Sequence, residues 1–358
     1  MPSVAVIPGD GIGIEVSREA TRVLERAVVL FGLDLDLDQW DLGAERYLRD
    51  GVTITDAEFR TLAEDRDAIL LGALGDPRVK DETYVRDILL GFRFKLDLYI
   101  NYRPCVLPDP SLCPLRDVPA DGIHLDIFRE NTEGLYLNLG GVFREGTAEE
   151  VAIQESVNTH RGVERIVRAA FKFAADRGRP SVTLVDKANA MPFEGALWRR
   201  VFDTVAQDYP GVARNTMYVD AMAMDLVRRP ERYSVLVTSN LFGDIISDLA
   251  AELTGGLGLA PSANIHPGRH ALFEPVHGSA PDIAGTGKAN PIGAIRCAGL
   301  LLEHFGFGAA AGAVEMAVAL SIREGQTTAD LGGGCSTQQV GEWICDNLDA
   351  TMRSTQPA

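Results

Sequence analysis

Ser3 to Phe31 reads SVAVIPGDGIGIEVSREATRVLERAVVLF. It opens on a short apolar run, Ser3 to Pro8, rich in residues that suit a buried strand. The glycines of Gly9 to Gly13 then force a turn. From Ile14 to Phe31 apolar residues recur at helical spacing. Leu33 to Trp40 alternates Leu and Asp, as a half-exposed strand does. Asp67 to Gly72 carries the run Ala-Ile-Leu-Leu, a buried strand that ends in the glycine-rich loop Gly72 to Pro77. Strand, helix, strand, helix, strand predicts an α/β fold built on a sheet.

The rest of the chain extends that pattern. Ile123 to Glu130 reads as a strand. Leu135 to Ile153 is Gly-rich and alternating, which predicts a hairpin-like turn at Gly140-Gly141. Gly162 to Arg177 is helical in period. Ser181 to Asp186 and Val235 to Thr238 are buried strands, each followed by polar residues and a helix. Beyond about residue 255 Gly and Pro become frequent (Gly255 to Gly268, Pro275 to Pro291), before helices Ile292 to Phe305 and Ala311 to Arg323. Ser354 to Ala358 reads as a frayed tail.

Composition narrows the function. A chain of 358 residues suggests two domains or one large α/β unit. Apolar residues make up 46% and charged residues 24%, which excludes a disordered, collagen-like or membrane class. No segment offers the ~18 uncharged apolar residues of a spanning helix. The richest run, Phe305 to Ile322, holds Glu315 and several glycines and reads as a buried helix. The N-terminus lacks the basic region of a signal peptide. The five cysteines are odd in number and form no Cys-x-x-Cys, so they read as reduced thiols of a cytoplasmic protein. A net charge of −17 disfavours nucleic acid and anionic membrane as partners.

Several residues carry candidate chemistry. Gly9-Asp10-Gly11-Ile12-Gly13 has the spacing G-x-G-x-G and not the dinucleotide fingerprint G-x-G-x-x-G, so it reads as a tight turn. Asp244 and Asp248 lie in SNLFGDIISD, just after a strand. A spacing of i, i+4 puts both carboxylates on one helix face. Like charges so placed call for a cation, and oxygen donors suit Mg²⁺ or Mn²⁺. The alternative is a dipole-favoured Asp244 and a solvated Asp248. Asp220, after Met217 to Val219, is available as a third carboxylate. Arg93, Arg103 and Arg129 lie near apolar strands, and Arg grips carboxylates with a rigid fork. Taken singly, each reads as a surface ion pair. Tyr136 and Lys187 are acid/base candidates, Lys187 at a strand end where α/β sheets bind ligands; the competing readings are a packing tyrosine and a helix-terminal charge. The six histidines form no ligand set, because Pro267-Gly268 breaks any helix joining His266 and His270.

Five ordered blocks carry a wider resemblance: IPGDGIG (Ile7 to Gly13), LDLYINYRP (Leu96 to Pro104), RENTEG (Arg129 to Gly134), NLFGDIISDL (Asn240 to Leu249) and FEPVHGSAPDIAG (Phe273 to Gly285). Over essentially its whole length the chain resembles the isocitrate/isopropylmalate family of metal-dependent β-decarboxylating dehydrogenases. The resemblance implies a two-domain α/β fold that is not a Rossmann fold. A cofactor-binding domain would comprise residues 1–98 plus 255–358. An inserted domain, 99–254, would serve dimerisation, metal and substrate, with the active site in the cleft between the two and a β arm at the interface of a homodimer.

The same resemblance implies roles. Arg93, Arg103 and Arg129 would hold substrate carboxylates, and Leu89 and Leu90 the substituent on C3. Tyr136 and Lys187 would be the acid/base pair. Asp220, Asp244 and Asp248 would bind Mg²⁺ or Mn²⁺, with Lys187 and Asp220 serving the neighbouring subunit's site and Asp220 also touching substrate. NAD would lie against Asn189, Glu274, His277, Gly278, Ser279, Ala280, Asp282, Ile283 and Asn290. The implied reaction is NAD-dependent oxidative decarboxylation of 3-isopropylmalate. Ile153 to Val157 and Pro261 to Asn264 resemble the tartrate/D-malate branch instead, and Arg86 stands where many members carry Glu, so D-malate, tartrate and homoisocitrate stay open as substrates. Silent regulatory members of the family lack a catalytic residue, and here all are present.

Overall fold

The computed structural model describes residues 1–80, 83–118 and 122–355, with side chains to residue 349. The chain divides into two compact units. Residues 1–98, 106–118 and 251–358 form the first, and 99–105 with 119–250 form the second.

The first unit begins with β1 (Ser3–Gly9), α1 (Gly13–Phe31), β2 (Asp36–Gln39), α2 (Ala44–Asp50), α3 (Asp56–Glu64) and β3 (Ala68–Ala73). A helical segment follows: α4 (Thr83–Val85), a π-helical turn at Arg86–Leu90, and α5 (Gly91–Lys95). In the second unit come β4 (Ile100–Val106), β5 (His124–Glu130), β6 (Gly134–Phe143), β7 (Val151–Val157), α6 (His160–Asp176), β8 (Ser181–Asp186), α7 (Pro192–Ala206), β9 (Ala213–Tyr218), α8 (Val219–Arg228), β10 (Val235–Thr238) and α9 (Asn240–Leu253). The chain then completes the first unit with β11 (Pro261–His266), β12 (His270–Pro275), α10 (Ile292–His304), α11 (Gly308–Arg323) and α12 (Thr337–Thr355).

The strands of the first unit run in the order β2-β1-β3-β12-β11. β1 is parallel to β2 and β3, β12 is parallel to β3, and β11 closes the set antiparallel to β12. Every residue of β3 is buried, as expected of a parallel strand covered on both faces. Ile7, Ile69, Leu71, Tyr84, Ile88, Phe92 and Leu272 meet in its core. Helix α3 starts on a capping box, Thr55 with Glu58. Helix α1 ends on Gly32 in the left-handed conformation.

In the second unit the order is β4-β5-β10-β8-β9, with β5, β10, β8 and β9 mutually parallel. The register sets Thr238 opposite both Arg129 and Val185. The segments that follow these strands therefore leave from one edge, where parallel sheets carry their sites.

Three readings of the sequence need correction. Gly140-Gly141 is not the turn of the hairpin; both residues lie inside β6, and β6 and β7 are joined by residues 144–150. A Cβ at Gly140 would stand 2.0 Å from the Ile153 carbonyl oxygen, so the glycine serves a close approach of two strands and not a chain reversal. The run Phe305 to Ile322 is not one helix, because the chain breaks at Gly306, where φ is +83°, and restarts at Gly308. Ser354 and Thr355 belong to the last turn of α12, while the remaining three tail positions lie outside the described residues.

Candidate active site

The second unit gathers one polar cluster from three elements. Arg103 comes from β4, Arg129 from β5, and Asp244 and Asp248 from one face of α9. Arg129 is 1% exposed and Arg103 7%, so neither is a surface ion pair. The Arg129 fork donates from Nε (3.0 Å) and Nη2 (2.7 Å) to Asn240 Oδ1, and from Nη1 to Asp244 Oδ1. Arg103 donates through Nε to Asn101 Oδ1 (3.0 Å), through Nη1 to Ser247 Oγ (2.6 Å) and Asp248 Oδ1 (3.0 Å), and through Nη2 to Asp244 Oδ1 (3.4 Å). The Tyr136 hydroxyl donates to Asp244 Oδ2 at 3.0 Å, and the Arg129 guanidinium lies 5.1 Å from the centre of its ring.

The cluster is electrostatically divided. Burial pushes the Asp248 carboxyl above the usual range, and the like charge of Asp244 adds to this, while Arg103 and Arg129 pull it back. Asp248 is half exposed and bonded to Arg103. Two carboxylates on one helix face offer hard oxygen donors of the kind a divalent cation takes. Among the described residues no three His, Cys, Asp or Glu side chains gather as a metal site. Asp220 does not join Asp244 and Asp248; it pairs with Lys187.

The loop around Arg129 is built by its neighbours. Glu130 accepts from Thr132 N and Oγ1 and from Glu133 N, closing a tight turn beneath the arginine. Its deep burial raises the Glu130 pKa against those hydrogen bonds. Glu133 accepts from Thr159 N and Oγ1, where Thr159 caps α6. The block reaches Arg129 through Asn240, whose Nδ2 donates to the Glu133 carbonyl at 3.2 Å while its Oδ1 accepts from the arginine. Asn101, Asn240 and Ser247, which the sequence motifs contain but do not mark as site residues, hold the two arginines.

Lys187 follows β8 and donates from Nζ to Asp220 Oδ1 at 2.6 Å; Asp220 opens α8. The Lys187 ammonium holds the Asp220 carboxyl below its ordinary range. Tyr218 lies beneath both Lys187 and Arg199, and Arg199 pairs with Asp186 at 2.6 Å. Asn189 is exposed in the turn after Lys187.

The first unit holds the remaining candidates. Arg93 is 8% exposed and donates from Nη2 to Glu274 Oε1 (2.7 Å), which also accepts from Asn264 Nδ2 (2.9 Å). Leu89 leans on the hydrophobic core, and Leu90 is half-buried. In the loop after β12, Ser279 is buried and its carbonyl accepts from Ile12 N at 2.8 Å. A Cβ at Gly11 would stand 2.1 Å from that oxygen, which explains glycine there. Ala280 is left-handed at φ +37°. Gly278, Ala280 and Asp282 are exposed, and Ile283 is 36% exposed. His277 Nε2 is buried with no hydrogen-bond partner, a donor or acceptor left for a ligand. Asn290 is buried, bonded to Asp330 through Nδ2 and to Ile292 N through Oδ1. A cleft of about 650 Å³ opens between Gly11, Arg18, Gly75, Arg78 and Pro281.

Comparison with known proteins identifies the family. The sequence profile of the isocitrate/isopropylmalate dehydrogenase family matches residues 3–344. A 3-isopropylmalate dehydrogenase of Thermobifida fusca is 46% identical over 347 residues, covering 96% of this chain and 97% of that one. One from Streptomyces griseus is 48% identical over 323 residues, covering 90% and 92%. Among solved structures, an isocitrate dehydrogenase from Methylococcus capsulatus superposes with a TM-score of 0.87 at 37% identity, covering 97% of this chain and 99% of that one.

Proposed function

The chain belongs to the isocitrate/isopropylmalate dehydrogenase family, and on that premise we propose that it oxidises and decarboxylates 3-isopropylmalate with NAD⁺, giving 4-methyl-2-oxopentanoate and CO₂ in leucine biosynthesis. The observation that carries the reading is the cluster of Arg103, Arg129, Tyr136, Asp244 and Asp248 in the second unit. It offers carboxylate-binding forks, hard oxygen donors and a proton donor within bonding distance of one another.

Asp244 and Asp248 would hold Mg²⁺ or Mn²⁺, with Asp220 of a second copy completing the set. His277, whose Nε2 is without a partner, and the loop to Asp282, Ile283 and Asn290 would hold the adenosine of NAD. Bound there, the metal supplies Lewis acidity to the C2 oxygen and NAD⁺ accepts the hydride. The chain's own residues do the rest. Arg93, Arg103 and Arg129 grip the two carboxylates and fix C2 and C3. Lys187 takes the C2 hydroxyl proton, a role that requires its ammonium to shed both a proton and the Asp220 partner. The C3–carboxyl bond then breaks with loss of CO₂, its electron pair remaining on carbon, and the Tyr136 hydroxyl delivers a proton to C3. Asn189 would orient the nicotinamide. Asp282 would accept from the ribose hydroxyls and repel a 2′-phosphate, favouring NAD over NADP.

Leu90, with Leu89 behind it, sets the substituent. A carboxylate tail against leucine loses hydration without a partner, at a cost of several kcal/mol. An isopropyl group gains roughly 1.5–3 kcal/mol by burial. We place the enzyme in the cytoplasm, where its five free cysteines stay reduced, and as a homodimer sharing Lys187 and Asp220 across the interface. Among the described residues no helix is long and apolar enough to cross a membrane. The test is kcat/KM with NAD⁺ and Mg²⁺ for isopropylmalate, D-malate, tartrate, homoisocitrate and isocitrate. Isopropylmalate should lead, and a higher value for any other acid overturns the assignment.

A further inference from the structure

Asp10 sits in the Gly9–Gly13 turn and is 3% exposed. Its carboxylate takes three neutral donors from three separate segments. Oδ1 accepts from Ala44 N, at the start of α2, at 2.6 Å. Oδ2 accepts from Gly75 N, in the loop after β3, at 2.9 Å and from the Tyr84 hydroxyl at 2.8 Å. Tyr84 is 1% exposed and stacks on Tyr47 with ring centres 5.7 Å apart. Burial, reinforced by the Asp10 carboxylate, raises the Tyr84 pKa, so the phenol stays a donor throughout the working pH range.

Tyr84 opens the helical segment that carries Leu89, Leu90 and Arg93. That segment contains a π-helical turn at Arg86–Leu90, a wider coil often found where a helix has been reshaped for function. Its inward residues are Tyr84, Ile88 and Phe92, all buried to within 1%. Ile88 and Phe92 are held by packing, with the Phe92 ring stacked on Phe59 at 6.0 Å between centres. Directional contacts also hold the segment: the Tyr84 hydroxyl to Asp10 ahead of the π-helical turn, Asp87 Oδ2 accepting from Thr53 Oγ1 (3.2 Å) within it, and Arg93 to Glu274 after it; of these only Tyr84 is tied to the glycine turn. We infer that the Asp10–Tyr84 hydrogen bond makes both side chains positioning residues for substrate specificity: it sets the rotation of the segment that presents Leu90 and Arg93. The inference rests on the proposed function.

Tyr84→Phe removes one oxygen and keeps the ring stack. Contacts to the malate core are shared by isopropylmalate and D-malate, so their loss cancels in the ratio of the two kcat/KM values. Contacts to the isopropyl group do not cancel. Tyr84→Phe should therefore lower the isopropylmalate/D-malate ratio three- to tenfold, through KM for isopropylmalate more than through kcat, with the NAD⁺ dissociation constant unchanged. Asp10→Asn leaves one acceptor oxygen for three donors and turns Nδ2 toward a backbone N–H, so it should lower the ratio at least as far, at a larger loss of stability, and it is the second variant measured. A lower melting temperature with an unchanged ratio shows a purely structural clasp and overturns the inference, as does no change in either. Wild-type protein that turns over none of the acids overturns the proposed function, and with it the specificity role.

Discussion

Gly243 lies in the first turn of α9, one residue before Asp244. By helix propensity alone, Gly243→Ala should stabilise the protein by about 1 kcal/mol. The structure opposes this. A Cβ at Gly243 would stand 2.6 Å from Arg129 Cγ, 2.7 Å from its Cβ and 3.1 Å from its Cδ. Carbon atoms in good contact sit about 3.5–4.0 Å apart, so the overlap approaches 1 Å. The clash is with the base of the side chain, fixed to β5, and not with a flexible tip. Overpacking of this kind costs about 1–3 kcal/mol, so Gly243→Ala should range from neutral to about 2 kcal/mol destabilising once the propensity gain is included. The larger effect is on the arginine head. Displacing it weakens the bonds to Asn240 and Asp244 and, under the proposed function, the bond to a substrate carboxylate, each worth about 1.5–3 kcal/mol as a charged hydrogen bond. That corresponds to roughly a ten- to hundredfold loss in kcat/KM for the hydroxy acid, at 1.4 kcal/mol per decade. Urea denaturation and steady-state kinetics measure both terms. A variant about 1 kcal/mol more stable with unchanged kcat/KM would show that Arg129 yields freely, and the argument for its fixed placement would fail.

Sharing of the site is testable by mixing two dead enzymes. Lys187→Met and Asp244→Asn should each abolish turnover, while their reassembled mixture recovers about a quarter of wild-type activity, because half the dimers are mixed and one of their two sites is intact; no recovery places Lys187 and Asp244 in a site within one chain. Chelation by EDTA should stop the reaction and added Mg²⁺ or Mn²⁺ restore it, and full activity in EDTA would remove Asp244 and Asp248 from metal binding. His270 is 4% exposed, and burial lowers its pKa while Nε2 bonds the Leu62 carbonyl. Below about pH 6.5 the unfolded chain binds a proton that the folded chain refuses, so stability falls with pH by up to about 1.4 kcal/mol per unit for this group. Denaturation at pH 7.5, 6.5 and 5.5 should show a shallower decline for His270→Gln, and parallel curves would refute the assignment.

The sequence by itself determined the α/β class, because strand and helix periods are local properties of neighbouring residues. It also pointed to Asp244 and Asp248 on one helix face, since a spacing of four fixes their direction whatever surrounds the helix. It could not decide what a glycine was for. Gly140 has the look of a turn, yet it sits in a strand because the Ile153 carbonyl passes close to it, and that neighbour is set by hairpin register. Nor could it tell a buried arginine from a surface one: Arg93, Arg103 and Arg129 are buried because strands and helices distant in sequence close over them. The partners Asn101, Asn240, Ser247 and Asp330 are neutral or unremarkable in sequence, and they matter only through hydrogen bonds that the folded chain creates. Asp10 shows the same division. Its place in a glycine turn was legible from the first residues, but its hold on Ala44, Gly75 and Tyr84 exists only after three segments far apart in the chain have been packed against one carboxylate. Local propensity is written along the chain, whereas a buried polar group takes its meaning from the donors that tertiary packing brings within bonding distance.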